Sequence, residues 1–212
     1  MNNGFLFCVV CVRMASQGAF LFPTFLFFFL AGCRTPAAGV GNSTEFIREA
    51  CGGTLYPQLC FSSLVGYAAV VQRSDVRLSQ VASNVTLARV RSVSANVSAT
   101  LAGAGAAAGP RLRAALRDCS EMLSDAAERA GQAAEALRAV ESATGPALAW
   151  QVSNAMTWMS AALTDEDTCA DWLAAPTAAG GGDSKAGEVY RRVREVEKHT
   201  SIALALIHKL GF

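Results

Sequence analysis

The sequence predicts an all-α protein, an up-down-up-down four-helix bundle preceded by an N-terminal helical hairpin. Three observations predict this fold class. After residue 40 the chain has almost no alternating β-branched runs and no Asn-Gly or Asp-Gly hairpin turn. Apolar residues recur there at steps of three and four over several long segments. Stretches rich in glycine or proline separate those segments, as expected for loops between helices.

Residues 1–38 are expected to be a secretory signal peptide, with Met14 as an alternative start. The apolar run over residues 19–30 is about twelve residues long, and a membrane-spanning helix needs about twenty. An uncleaved signal anchor is the alternative to a cleaved signal. Leu30-Ala31-Gly32-Cys33 also matches a bacterial lipoprotein cleavage box, in which Cys33 would carry the lipid. We therefore expect a secreted, extracellular protein whose mature chain is residues 39–212.

The mature chain contains an even number of cysteines, which in a secreted protein predicts two disulfides. The four cysteines are Cys51, Cys60, Cys119 and Cys169. Four cysteines allow three pairings, and their spacing does not choose between them. Three N-x-[ST] sequons support the secretory route and are the predicted glycosylation sites. They begin at Asn42, Asn84 and Asn96.

The hairpin is expected over about residues 44–67, where two short helices flank a turn at residues 52–57. The first bundle helix is expected over about 75–101, a segment without proline or glycine. Its buried face is ambiguous, because two sets of apolar residues both have helical spacing. One set contains Leu78, Val81, Val85 and Ala88, and the other contains Leu87, Val90, Val97 and Leu101.

The second bundle helix is expected over about 111–140, with Pro110 in its first turn. Its apolar stripe has steps of four and three, and runs through Leu112, Leu116, Cys119, Leu123, Ala126, Ala130, Ala133 and Leu137. The third helix is expected over about 147–163 and the fourth over about 186–210. Glycine-rich stretches at residues 103–109 and 178–183 provide the remaining loops.

The mature chain offers few groups for catalysis or metal binding. His199 and His208 are nine residues apart, so they point about 180° from each other on one helix. The acidic run Asp165–Asp167 lacks the spacing of a calcium loop and is expected to be a solvated turn at the end of the third helix. The whole chain has 18 basic and 17 acidic residues, which argues against a nucleic-acid partner. We expect no enzyme activity, no catalytic residue, no metal and no cofactor.

The segments around the cysteines resemble plant invertase/pectin methylesterase inhibitor domains. Residues 44–51 read T-E-F-I-R-E-A-C, and residues 54–60 read T-L-Y-P-Q-L-C. Residues 115–121 read A-L-R-D-C-S-E, and residues 157–164 read T-W-M-S-A-A-L-T ahead of the last cysteine. Four cysteines stand in four matching contexts in the family's order. The resemblance covers roughly residues 44–212.

This resemblance implies a helical hairpin on a four-helix bundle, with disulfides Cys51–Cys60 and Cys119–Cys169. It also implies a non-enzymatic inhibitor that binds pectin methylesterase one-to-one and covers its substrate cleft in the plant cell wall, or apoplast. Acid invertase is the alternative target. Invertase inhibitors carry a Pro-Lys-Phe motif where this chain has Pro146-Ala147-Leu148, whereas residues 160–164 favour pectin methylesterase. A bundle of the same scaffold without inhibitory activity is a further alternative. We expect neither a nucleic-acid partner nor, after signal cleavage, association with a membrane.

The partner-binding surface is expected on the solvent faces of the second and third bundle helices, where short polar side chains could dock into a cleft. The candidate residues are Glu121, Ser124, Asp125, Glu128, Gln151, Asn154 and Thr157. Carboxylates among them would make binding depend on pH across the acidic range of a cell wall.

Overall fold

The computed structural model describes residues 37–104, 109–180 and 185–211, and all their regular secondary structure is helical. Residues 1–36 of the predicted signal peptide lie outside this range. The N-terminal part contains α1 (Ala37–Gly52), α2 (Pro57–Leu64), a 3₁₀ turn (Val65–Tyr67) and α3 (Ala68–Val71). The four long helices are α4 (Asp75–Gly103), α5 (Pro110–Val140), α6 (Gly145–Gly180) and α7 (Lys185–His208). No helix within the described residues is long and apolar enough to cross a membrane.

The N-terminal hairpin is closed by local bonds at the turn between α1 and α2. The Thr54 hydroxyl donates to the carbonyl oxygen of Cys51 at 2.9 Å, which satisfies one of the free carbonyls at the end of α1. Pro57 occupies the first turn of α2, where its missing N–H costs no hydrogen bond. A disulfide joins Cys51 to Cys60, and the Lys209 ammonium donates to the carbonyl oxygen of Ala50 at 2.5 Å. The hairpin is therefore attached to the end of the last helix.

The four long helices form a closed ring. Helix α5 packs between α4 and α6, and α7 packs between α6 and α4. Each helix thus lies beside the helices that precede and follow it in the chain, which is the up-down-up-down arrangement. A second disulfide joins Cys119 of α5 to Cys169 of α6, with 4.3 Å between their Cα atoms. The predicted all-α bundle with its N-terminal hairpin and two disulfides is confirmed.

The core is built largely from alanine and leucine. The predicted stripe of α5 is buried from Leu116 to Leu137, and its alanines allow the neighbouring helices to approach closely. Helix α4 buries Leu78, Val81 and Val90 together with polar residues on the same face. Among these, the Thr86 hydroxyl donates to the carbonyl oxygen of His199 in α7 at 3.1 Å. This mixed face explains why the apolar pattern of α4 alone was ambiguous.

Helix α6 continues to Gly180, well beyond the end expected at residue 163. The prediction that Asp165–Asp167 form a solvated turn is therefore wrong, because these residues lie in mid-helix and Glu166 has no exposed surface. The acidic side chains are accommodated because residues of α5 and α7 pair with them. Helix α1 begins at Ala37, before the start of the hairpin expected at about residue 44, and His199 is buried. His208 is exposed.

Candidate partner-binding surface

A shallow polar groove runs between α5 and α6 on the outside of the bundle. From α5 it is lined by Asp125, Glu128, Arg129, Gln132 and Glu135, and from α6 by Gln151, Asn154 and Trp158. The small side chains Ala136 and Ala139 also line it. The groove thus combines carboxylates, amides and one aromatic ring.

Helical spacing places these residues along the groove. On α5, Asp125, Glu128, Gln132 and Glu135 follow one another at steps of three, four and three, so they share one face. The buried stripe of α5 occupies a different face of the same helix. On α6, Gln151, Asn154 and Trp158 have steps of three and four. Both walls of the groove are therefore continuous helix, which holds the polar groups in fixed positions.

Two carboxylates of the groove have no ion-pair partner within the described residues, namely Asp125 and Glu128. The amide of Gln132 donates to Glu128 at 3.4 Å. Glu135, by contrast, forms an ion pair with Arg138 on the same helix. The one cation in the groove wall, Arg129, pairs with Asp165 of α6 at 2.7 Å. The groove therefore carries net negative charge.

A buried acidic cluster lies between α6 and α7. The Glu166 carboxyl accepts a hydrogen bond from the Thr200 hydroxyl at 2.8 Å. Burial, opposed by the hydrogen bond from Thr200 and aided by the neighbouring charge of Glu197, raises the pKa of Glu166 to about 8. Burial also raises the pKa of Glu197, which Arg194 opposes through an ion pair at 2.7 Å. At neutral pH Glu166 is therefore largely protonated in the folded protein.

The groove presents groups that can bind a partner surface. Within residues 37–104, 109–180 and 185–211, no three His, Cys, Asp or Glu side chains are grouped so that they could hold a metal ion. Burial, together with the charge of Arg89, lowers the pKa of His199 to about 4, so its imidazole is neutral at neutral pH. The groove can contribute shape, hydrogen bonds and negative charge to a partner surface.

Most of the chain matches the model of a known protein family. The family model for plant invertase/pectin methylesterase inhibitors matches residues 45–206. The chain belongs to this inhibitor family. As a member of this family, the protein is an inhibitor and not an enzyme.

Relatives of this inhibitor-family protein cover most of its length. Pectinesterase inhibitor 9 of Arabidopsis thaliana is 37% identical over 172 residues, which are 80% of this chain and 82% of the relative. Pectinesterase inhibitor 11 of the same plant is 34% identical, over 84% of this chain and 87% of its own length. The 21 kDa protein of Daucus carota is also 34% identical, over 82% of this chain and 88% of its own.

A solved structure shows the same fold. It is the crystal structure of mutant form A of a pectin methylesterase inhibitor from Arabidopsis, which superposes with a TM-score of 0.58 at 22% identity. The match covers 74% of this chain and 92% of the crystallised one. The helical bundle found here is thus the bundle of the inhibitor family.

Four of the seven residues predicted to contact a partner line the groove of this inhibitor-family protein. They are Asp125, Glu128, Gln151 and Asn154. The other three, Glu121, Ser124 and Thr157, are exposed on the same two helices but do not line it. Sequence reasoning missed the other lining residues, which are Arg129, Gln132, Glu135, Ala136, Ala139 and Trp158. Gln132 and Glu135 could have been found by extending the helical step beyond Glu128.

The three predicted glycosylation sites differ in accessibility on the inhibitor-family fold. Asn42 on α1 and Asn84 on α4 are exposed. Asn96, also on α4, is half-buried. None of the three lies on α5 or α6, the helices that form the groove.

Proposed function

We propose that the protein is a secreted inhibitor that binds pectin methylesterase one-to-one through the α5–α6 groove and thereby covers the enzyme's substrate cleft. The observation that carries this proposal is the groove itself. It brings together four independently predicted residues on two adjacent helices of an inhibitor-family bundle. The names of the relatives, pectinesterase inhibitors 9 and 11, support this enzyme as the target.

The groove suits such a role because it does not have to be ordered when the partner binds. Its walls are continuous helices, and the disulfide between Cys119 and Cys169 links these helices covalently. A preformed surface loses little conformational entropy on association, which favours affinity. Asp125 and Glu128 would bind cationic or hydrogen-bond-donating groups on the esterase.

Acid invertase is the alternative target. The chain has Pro146-Ala147-Leu148 at the start of α6, and so lacks the Lys and Phe of the motif associated with invertase inhibition. The Ser160–Thr164 segment favours the esterase instead. Pectin methylesterase is therefore the first enzyme to test.

The site of action belongs to the same proposal. A signal peptide within residues 1–38 would direct the protein into the secretory pathway, where both disulfides can form. Residues Asn42, Asn84 and Asn96 would receive glycans there. The mature protein would then act in the apoplast and cell wall.

The decisive experiment is a titration of the secreted protein into pectin methylesterase, with acid release from methylated pectin as the readout and acid invertase in parallel. We expect esterase activity to fall to a minimum at one equivalent of inhibitor. Loss of invertase activity alone would show that invertase is the target instead. If both enzymes keep their activity, the proposal is overturned.

A charge-reversal variant tests whether the groove is the surface involved. Glu128→Arg places a cation where the proposal requires an anion, and we expect at least a tenfold weaker inhibition, because truncating or reversing a central interface charge commonly costs more than about 1.4 kcal/mol. The matched control is Glu49→Arg on α1, an exposed glutamate on the hairpin. Equal weakening by both variants would show that net charge, and not the groove, determines binding.

A further inference from the structure

All three tryptophans of the chain lie on α6, and all three are exposed. Trp150 is 66% exposed, Trp158 37% and Trp172 40%. The other large hydrophobic side chains exposed among the described residues lie before α4, in the N-terminal part. Among the described residues of the four long helices, the exposed large hydrophobic side chains are thus all on α6.

The three rings lie on one side of α6. Trp150 and Trp172 are separated by 22 residues, which brings them within about 40° of each other around a helix of 3.6 residues per turn. Trp158 lies about 80° from Trp150, on the side that lines the groove. Along the axis, the rise of about 1.5 Å per residue places Trp158 about 12 Å from Trp150 and about 21 Å from Trp172. We call this row the tryptophan face.

The extent of the tryptophan face matches that of a protein interface. Its ends are about 33 Å apart along α6, from the same helical rise. A standard interface covers about 800 Å² on each partner, which is roughly 30 Å across if the patch is round. Tryptophan is also strongly enriched among the residues that dominate binding energy. The lining of the groove on α6 runs only from Gln151 to Trp158, about 10.5 Å of this length.

Charge decides what kind of partner fits. The tryptophan face adjoins Asp125 and Glu128, which have no ion-pair partner within the described residues. A second copy docked on this face would bring the same carboxylates together, and an acidic polysaccharide would also be repelled. A protein surface that carries Lys or Arg around a recess would be attracted, and cations could also stack on the indole rings.

We propose that the whole tryptophan face docks the esterase, with Trp150 and Trp172 contacting basic surface of the enzyme outside its cleft. This inference rests on the proposed function and extends it, because it assigns target selectivity to the inhibitor. Esterases with a basic surface around the cleft bind tightly, and those with an acidic surface bind weakly.

The chain allows a direct spectroscopic test, since only three tryptophans are present. The inhibitor is labelled with 5-fluorotryptophan and observed by ¹⁹F NMR, and Trp150→Phe, Trp158→Phe and Trp172→Phe assign the three resonances. Unlabelled esterase then contributes no signal. We expect all three resonances to shift or broaden on binding. Perturbation of Trp158 alone would overturn the extended face and leave the groove as the site.

Affinity measurements with the same esterase complete the test. Trp150→Ala and Trp172→Ala should each weaken inhibition by about tenfold or more, the usual effect of truncating an anchoring aromatic residue. The control is Tyr67→Ala, which removes an exposed aromatic ring from the 3₁₀ turn of the N-terminal part. Unchanged inhibition by both tryptophan variants, while wild-type protein still inhibits, would overturn this inference but not the proposed function.

Three further measurements distinguish the esterase from other possible ligands of the tryptophan face and test the charge argument. Methyl-esterified oligogalacturonide added without enzyme should leave the ¹⁹F spectrum unchanged, and a shift would assign the face to polysaccharide instead. Sedimentation of the free protein should give a monomer, whereas a dimer lost in Trp150→Ala would assign the face to a second copy. An esterase with an acidic cleft surface should bind more weakly than a basic one, and equal affinity would overturn the charge argument. Absence of esterase binding by the wild type would overturn both proposals.

Discussion

The Glu166 carboxyl couples protonation to folding, because it is buried in the native state and solvated in the unfolded chain. Its pKa rises from an ordinary 4.5 to about 8 on folding. Below pH 4.5 both states bind the proton and stability is unaffected. Between pH 4.5 and 8 the unfolded chain releases the proton and the folded one retains it, so stability falls as pH rises. The full effect is on the order of 5 kcal/mol.

Buried His199 acts in the opposite direction over part of this range. Its pKa falls from 6.5 to about 4 on folding, so its contribution is complete above pH 6.5 and is lost as pH falls toward 4. The two effects oppose each other between pH 4.5 and 6.5. Above pH 6.5 the loss of stability through Glu166 continues without this opposing effect. Stability should therefore be greatest in the mildly acidic range.

The variant Glu166→Gln should remove most of this pH dependence. The glutamine amide oxygen can still accept the hydrogen bond from Thr200, but it has no proton to release. Urea unfolding at pH 6.5 and pH 8 should show wild-type stability falling by about 2 kcal/mol, while the variant stays level within about 0.5 kcal/mol. The matched control, Glu121→Gln on the exposed face of α5, should keep the wild-type slope. A level wild-type curve would contradict the protonation of Glu166.

At the scale of elements, local periodicity predicted the helices but not the length of α6. Steps of three and four identified the buried stripe of α5 because that helix has one apolar face. The end of α6 could not be predicted because its acidic residues are stabilised by distant partners. Asp165 pairs with Arg129 of α5, and Glu166 pairs with Thr200, 34 positions away. From the local sequence alone, such an acidic run is predicted to be exposed to solvent. Only the tertiary contacts show that it lies within a helix and is partly buried.

The candidate site was predictable to a similar degree. The exposed positions of two neighbouring helices follow from periodicity, which is how Asp125, Glu128 and Asn154 were found. The position of Trp158 in the groove depends on how α5 and α6 are rotated against each other, and no local pattern specifies that rotation. The sequence therefore places Trp158 within the third helix, expected over about 147–163, but does not place it on the binding surface.

The two disulfides should differ in what they support. The pair Cys51–Cys60 closes a short loop, and Cys119–Cys169 closes a long one across α5 and α6. By the chain-entropy relation, removing them should cost about 3 and about 4 kcal/mol respectively. We expect the double variant Cys119→Ala/Cys169→Ala to melt roughly 8–16 °C below wild type in calorimetry.

Esterase inhibition distinguishes the two disulfides further. The double variant Cys51→Ala/Cys60→Ala serves as the comparison, because it loosens the hairpin and not the groove. At a temperature where both variants are folded, Cys119→Ala/Cys169→Ala should inhibit less well, since the spacing of the groove walls is no longer fixed. Equal inhibition by both would show that packing alone holds α5 against α6.

On the scale of the whole molecule, the ring of helices separates two surfaces. Helix α4 packs against α5 and α7, so it lies diagonally opposite α6. The exposed Asn84 is on α4, and the tryptophan face is on α6. A glycan on Asn84 would therefore extend away from the proposed docking surface. Asn42 lies on the N-terminal hairpin, which packs on the bundle through α1 and the end of α7.

This geometry predicts that glycosylation and inhibition are independent. Protein secreted from a eukaryotic host should lose mass on endoglycosidase treatment, yet inhibit the esterase with the same affinity within about twofold, because no sequon lies on α5 or α6. The single variant Ser124→Asn, which gives N-D-A and therefore no sequon, controls for the substitution itself. Adding Ala126→Thr to it creates N-D-T on the groove side, and a glycan there should abolish inhibition by steric exclusion. Because Ala126 is buried, Ala126→Thr alone is the folding control. Inhibition that falls with the natural glycans, or persists with the engineered one, would place the esterase on another face of the bundle.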